Sequence, residues 1–205
     1  ISKVAKWLKS QGIGKGDSFS LVMRNHPEFL YCLGAASILG AIVVPIDPRS
    51  KGSKLSYQIK DSSSKGVIFT DEFRPEVERS LSELPGVKVF GVVYKPGFDS
   101  DMSSKYPSLN EILEGPSVPP PDGRNNDIKA PFEIIYTSGT TGDPKGVVVK
   151  GNRMPMFKLL AQFVWGYTEA DKLYTGLSLT HGNAQAVTLV PSLMLSIPSV
   201  ISRKF

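Results

Sequence analysis

Cysteine is nearly absent from this 205-residue chain, and that scarcity excludes a fold held together by disulfide bonds. The single cysteine, Cys32, lies in the apolar run of residues 29–39. In such a run a buried, structural thiol is the expected state. This cysteine usage is typical of a reducing compartment, so we expect a cytoplasmic protein.

Long hydrophobic runs are also missing. No window reaches the roughly 18 to 20 apolar residues that a membrane span requires, and no basic-then-apolar leader opens the chain. The sequence therefore predicts neither a membrane span nor an export signal. It starts at Ile1 and stops at Phe205, just after a strand-like run at 197–201. We expect a piece of a longer chain, inactive as a ligase on its own.

Dense blocks of one charge are lacking as well. The net charge is +5, and the lysines and arginines are scattered along the chain. Scattered basic residues are typical of solvated helix faces. Nucleic-acid binding would need aromatic residues interleaved with basic ones on a strand face, and no such cluster stands out. The charge is compatible with a small anionic ligand, and we predict no nucleic-acid partner.

Alternating helical and extended patterns are abundant in residues 1–94. Apolar residues recur at helical spacing up to Gly12, and after it extended and helical patterns alternate. Strands are predicted at 17–23, 41–46, 66–70 and 87–94, and helices at 27–40, 55–59 and 75–84. This alternation predicts an α/β protein with layered, mostly parallel sheets and helices on both faces.

The amino-acid composition changes at residues 95–129, which are rich in Pro, Gly, Ser, Asp and Asn. We interpret it as an irregular connector, with only a short helix at 109–113. Residues 1–94 are then a first α/β portion, and 130–205 a second α/β portion. In the second portion, strands are predicted at 132–137, 147–149 and 173–177, and helices at 156–164 and 184–195.

The most informative segment is residues 136–146, with the sequence Tyr-Thr-Ser-Gly-Thr-Thr-Gly-Asp-Pro-Lys-Gly. Glycines allow backbone amides to approach a ligand and converge on phosphate oxygens. Ser138, Thr140 and Thr141 add hydroxyl donors, and Lys145 adds a mobile cation suited to charge on a phosphate. The composition predicts a loop that binds an anion.

A P-loop and a surface hairpin are two other structures that this segment could form. A nucleoside-triphosphatase P-loop needs Gly-Lys-Ser/Thr leading into a helix, whereas Lys145 precedes Gly146 and a strand-like run follows. That interpretation fails on order and context. A surface hairpin between two strands would use the same residue types. Composition alone leaves the hairpin and the anion site about even.

The ordered pattern, with only position 143 freely chosen, resembles the phosphate-binding signature of the acyl-adenylate-forming superfamily, which includes acyl-CoA synthetases. The sequences of residues 25–29, 37–41 and 43–48 are similar to the N-terminal segment of that family. Residues 177–185 resemble its segment with a proline and an aromatic before a histidine. Here Ser178 and Thr180 replace the proline and the aromatic, while His181 keeps its register.

The resemblance implies part of the large N-terminal domain of an adenylate-forming enzyme. Such an enzyme binds MgATP and a carboxylic acid, releases pyrophosphate as the carboxylate attacks the α-phosphorus, and passes the acyl group to a thiol, most often coenzyme A. It implies catalytic roles for Thr141, Lys145 and His181, with Thr141 also a weak candidate ligand of Mg²⁺. The implied nucleotide-binding residues are Thr137, Ser138, Gly139, Thr140, Thr141, Gly142, Lys145 and Gly146.

Several alternatives stay open from the sequence. His181 is either the family's acyl-pocket residue or a packed core histidine. His26, before Pro27, is expected in a loop or cap, and Asp47 in a turn or at a ligand. The protein could also be a nonenzymatic nucleotide-binding remnant of the fold. Carrier-protein-loading enzymes and luciferase-like enzymes share the loop. The sequence identifies neither the carboxylic acid nor the oligomeric state.

Overall fold

The computed structural model describes residues 1–94, 105–122, 125–137 and 142–203. Its strands are β1 (Ser18–Val22), β2 (Ile42–Ile46), β3 (Ser64–Thr70), β4 (Lys88–Val93), β5 (Pro131–Thr137), β6 (Lys145–Lys150), β7 (Leu173–Thr175) and β8 (Ser199–Ile201). Its helices are α1 (Ser2–Ser10), α2 (Pro27–Leu39), α3 (Gly52–Asp61), α4 (Arg74–Ser82), α5 (Leu109–Leu113), α6 (Arg153–Phe163), α7 (Gly182–Ala184) and α8 (Val190–Leu195). The predicted α/β class is confirmed.

Within these residues, six strands form one sheet in the order β4-β3-β1-β2-β5-β6. The pairs from β4 to β5 are parallel, and only β5 and β6 run antiparallel. Residues 138–144, which connect β5 to β6, are too few for the crossover that a parallel pair requires. The hairpin interpretation is therefore right about the strand pairing, and it leaves room for an anion-binding loop.

The core lies on both faces of the sheet, as the alternation predicted. Phe19, Val43 and Phe90 pack with α1 and α2 on one face, and Val44 and Phe69 pack with α3 and α4 on the other. Successive strand residues point to opposite faces, so each strand contributes to two layers.

Helix α2 shows how local chemistry sets an element's limits. Pro27 occupies the first turn, where its missing N–H costs no hydrogen bond, and Gly40 ends the helix with a φ of 68°. His26 occupies the N-cap position, but its side chain makes no capping hydrogen bond. The thiol of Cys32 is fully buried against this core, and burial raises its pKa. Among the described residues, no helix is both long and apolar enough to cross a membrane.

The described part of the connector, 105–122, contains the predicted short helix. Ser108 caps α5 by accepting a hydrogen bond from the backbone N–H of Glu111 at 3.3 Å. Leu109 is fully buried in the same core cluster as α1. Strand β5 then pairs with β2, so the sheet of the first portion continues into the second. The division at 94 and 130 stays a prediction.

The C-terminal predicted helix is less regular than the sequence suggested. The structure has three successive helical segments here, namely α7, a π-helical segment Gln185–Leu189, and α8. They start at Gly182, directly after His181 and two residues before the predicted start at 184. Single π-helical turns occur often at functional sites, where they re-aim side chains. This composite helix separates β7 from β8, which pair in parallel as a second, small sheet.

Replacing Gly66 by alanine is expected to lower the free energy of unfolding by about 1 to 3 kcal/mol. A Cβ at this position would lie 2.5 Å from Cε2 of Phe90, whose ring is held edge-on against Trp7. Urea unfolding would measure the change. Gly86→Ala is the matched control, because nothing lies within 4 Å of its added Cβ. Equal stability of the two variants would contradict the expected clash.

Candidate active site

A cleft of about 350 Å³ opens at the carboxyl ends of β2 and β5. Ligands of open α/β sheets bind at this edge, beyond the carboxyl ends of the strands. The cleft walls come from the end of β2 and the residues after it, helix α3, the β5–β6 hairpin and the start of α7 with the turn before it. The lining residues are Pro45, Asp47, Ser50, Lys54, Gln58, Ile135, Tyr136, Thr137, Pro144, Thr180, His181 and Gly182.

The ends of the signature loop meet at the rim of this cleft. Thr137, the last residue of β5, pairs with Lys145, the first residue of β6, and the Thr137 hydroxyl lies 3.5 Å from the carbonyl oxygen of Lys145. Gly142 has a φ of 130°, a backbone conformation that residues with a side chain rarely adopt. The Lys145 residue is exposed, and Gly146 pairs with Tyr136. The sequence-predicted Ser138, Gly139, Thr140 and Thr141 lie outside the described residues.

Tyr136 fastens the start of the loop to helix α3. Its hydroxyl donates to Oδ2 of Asp61 at 2.6 Å and lies 3.2 Å from the carbonyl oxygen of Gln58. Burial, together with the neighbouring Asp61 carboxylate, raises the pKa of the phenol well above its usual range. A neutral hydroxyl is therefore a fixed anchor on the wall of the cleft.

Asp47 stabilises the turn after β2 and also lines the cleft. Its Oδ1 accepts from the backbone N–H of Arg49 at 2.9 Å, and its carboxylate pairs with the Arg49 guanidinium at 2.7 Å. Partial burial opposes ionisation, but the Arg49 hydrogen bonds and charge, with a smaller contribution from His181, hold the Asp47 pKa below its ordinary value. The turn interpretation is confirmed, and the carboxylate also lines the cleft.

His181 is exposed on the cleft wall at the N-cap position of α7. Within this chain it is not packed in the core, and its role stays a prediction. The preceding turn shows how this segment holds without the family's proline and aromatic. The hydroxyls of Ser178 and Thr180 lie 2.9 Å apart, and the His181 N–H donates to the Ser178 carbonyl at 3.0 Å. The two substituted residues stabilise the turn that precedes His181.

A second cavity of about 350 Å³ adjoins the cleft, with Ile135, Thr137 and Gly182 lining both, and lies between β6 and helices α6 and α7. Most of its wall is apolar. Glu133, Ile135 and Thr137 share the strand face that lines it, and Glu133 is fully buried. Burial raises the pKa of the Glu133 carboxyl to about 7, although a hydrogen bond from Gln185 opposes the shift.

Sequence reasoning missed Glu133 and the side-chain role of Gln185. A signal for the former was present, because a glutamate interrupts the otherwise apolar strand at 132–135 on the same face as Ile135. A metal centre built from protein ligands is not seen in the described part of the chain, where no three His, Cys, Asp or Glu side chains cluster. The predicted ligand Thr141 lies outside that part.

Known proteins resemble this chain over most of its length. Crotonobetaine/carnitine–CoA ligase of Salmonella arizonae is 25% identical over 211 residues, covering 100% of this chain and 39% of that protein. Long-chain-fatty-acid–CoA ligase FadD13 of Mycobacterium tuberculosis is 35% identical over 153 residues, covering 72% of this chain and 27% of that protein. The chain thus spans well under half the length of these relatives.

A solved structure supports the fold independently. The anthranilate CoA ligase AuaEII, determined in complex with anthranoyl-AMP, superposes on the whole chain with a TM-score of 0.86 at 23% identity, and the match covers 38% of that chain. The family of AMP-binding enzymes matches residues 1–205 without interruption. The signature loop, the sheet and the cleft at its strand ends therefore have one common explanation, and the chain belongs to the AMP-binding enzyme family.

Proposed function

We propose that this chain is the part of an acid–thiol ligase that binds ATP and helps to convert a carboxylic acid into an acyl-adenylate, with release of pyrophosphate. One observation carries the proposal. The cleft at the carboxyl ends of the strands is lined by the signature hairpin, through Thr137 and Pro144, and by His181 from a segment some 40 residues further on. Family membership and the CoA-ligase relatives support the same reaction class.

In this proposal the hairpin neutralises the triphosphate. Two anions, the carboxylate and the ATP phosphates, must approach each other, so fixed donors and a cation lower the barrier. Glycine-rich backbone with a positive φ at Gly142, and Lys145 at the cleft rim, fit a phosphate chain. Lys54 lines the same cleft and adds positive charge. The carboxylate oxygen attacks the α-phosphorus, and the bond to pyrophosphate breaks.

Mg²⁺ fits this site when it binds together with the phosphates of ATP. The ion usually keeps several waters and takes one or two protein oxygens in addition to phosphate oxygens, so a carboxylate cluster is not required. The Asp47 carboxylate is held by Arg49. The Thr141 hydroxyl is the protein ligand that the family resemblance implies, and we propose it on that ground. When bound, the ion would neutralise phosphate charge that Lys145 faces from the protein side.

On the acid side, His181 and the apolar second cavity are the proposed contacts. His181 would lie beside the reacting carboxyl, and the cavity wall of Val147, Val149 and Phe157 would surround a tail. The named relatives act on acids as different as carnitine and long-chain fatty acids. The acid therefore stays open, and transfer to coenzyme A is proposed from the CoA-ligase relatives.

Acid-dependent ATP–pyrophosphate exchange tests the function. The enzyme carrying this chain should exchange pyrophosphate with one class of acid from a panel of fatty, aromatic and betaine-like acids, and coenzyme A should convert that acid to its thioester. The 205-residue chain alone is expected to form no acyl-AMP. ATP binding without exchange for any acid would instead support a nonenzymatic nucleotide-binding protein.

A further inference from the structure

Leu179, two residues before His181, has both of its backbone polar groups held by buried side chains. Its N–H donates to Oδ1 of Asn25 at 2.8 Å, and its carbonyl accepts from Nε2 of Gln185 at 2.8 Å. Loop backbone is more often satisfied by water or by other backbone groups. The side chain of Asn25, 154 residues away in sequence, and that of Gln185, 6 residues away, therefore fix the peptide groups that lead into His181.

Asn25 anchors this segment from the end of β1. Its amide nitrogen donates to the carbonyl of Leu177 at 2.9 Å and to the carbonyl of Ser202 at 2.7 Å. With the bond that its oxygen accepts from Leu179, one side chain links three backbone positions. Asn25 is 7% exposed, so water competes little for these bonds.

Gln185 anchors the segment from the opposite side, and Glu133 orients it. The Gln185 amide nitrogen donates to Oε1 of Glu133 at 2.6 Å as well as to the Leu179 carbonyl. Its two N–H groups thus match two acceptors. Gln185 is 2% exposed, and Glu133 lies on β5, the strand that leads into the signature loop. The pair connects that strand to the His181 segment.

We propose that Glu133, Gln185 and Asn25 are positioning residues that hold the segment from Leu177 to His181, so that the imidazole faces the acid in the cleft. The inference rests on the proposed function, because it assigns His181 a role in acid activation. None of the three residues is needed to explain the binding of ATP. Glu133 and Gln185 also line the second cavity, but their predicted influence on the acid step passes through His181 rather than through that cavity.

A double-mutant cycle with His181→Ala tests this route. Gln185→Leu and Glu133→Leu should each lower kcat for acid-dependent exchange about 10-fold, because small displacements of a reacting group are costly, while KM for ATP stays within about 2-fold. In the His181→Ala background, each should lower kcat by less than about 2-fold. Equal losses in both backgrounds would overturn the proposal and indicate a general structural defect.

Glu133→Gln is the conservative variant that should rescue activity. A glutamine oxygen still accepts from Gln185, so kcat should stay within about 2-fold of the unmodified enzyme. Ser192→Ala is the matched control, since Ser192 is also buried, on α8, and its hydroxyl bonds to the Leu189 carbonyl and the Ser199 hydroxyl. It should lower stability without changing the exchange kinetics. Loss of exchange in Glu133→Gln equal to that in Glu133→Leu would contradict the positioning role.

Hydrogen exchange of the 177–181 backbone gives a readout independent of activity. Amide protection in this segment should fall about 10-fold in Gln185→Leu and stay unchanged in Glu133→Gln and Ser192→Ala. Asn25→Ala, which leaves the Glu133–Gln185 pair intact, should lower it too and serves if the leucine variants do not fold. An enzyme that shows no acid-dependent exchange refutes the proposed function, whereas unchanged protection in the Gln185 and Asn25 variants refutes the positioning network.

Discussion

Replacing Lys145 by alanine is expected to lower the rate of acyl-adenylate formation about 100-fold, the size of effect seen when one charge-stabilising donor is removed from a transition state. Lys145 begins β6 directly opposite Thr137, which lines the cleft, and Lys145 is exposed. Pre-steady-state measurement of acyl-AMP in the enzyme carrying this chain would give the rate.

The expected loss at Lys145 has a matched control on the same strand. Lys150→Ala removes another exposed lysine at the far end of β6, five residues from Lys145. Its rate should stay within about 2-fold of the unmodified enzyme, because a surface charge that far from the phosphates is screened. A similar fall in both variants would show that net charge, rather than placement, explains the effect.

The second large effect concerns Glu133 and stability. Burial raises its pKa from 4.5 to about 7, so the folded protein holds a proton that the unfolded chain releases between these values. The free energy of unfolding should therefore fall as the pH rises from 4.5 to about 7 and stay level above that. The total loss from this one carboxyl is about 3 kcal/mol.

Glu133→Gln removes this dependence, because a glutamine has no proton to lose. The variant should be up to about 3 kcal/mol more stable than the unmodified protein at pH 8, and the difference should vanish near pH 4.5. Urea unfolding at several pH values would measure it. Glu111→Gln, at an exposed position on α5, is the matched control. A constant difference across the pH range would contradict a buried, titrating Glu133.

The order and class of the elements followed from local patterns. Strands such as β2 and β3 are apolar on both faces, because both faces are covered by helices, and this makes them visible as continuous apolar runs. Pro27 and Gly40 marked the limits of α2 through backbone chemistry alone. The signature at 136–146 and the register of His181 identified the family from residue order, as the family match confirms.

Only the tertiary structure decided which distant residues meet. The direction of β6, the pairing of β5 with β2, and the exposure of His181 depend on chain packing that no local window contains. The same holds for Glu133, whose meaning as a buried acid depends on Gln185, 52 residues away. Sequence periodicity reports which face of an element is apolar, but hydrogen bonds between elements arise only when the sheet and its helices are assembled.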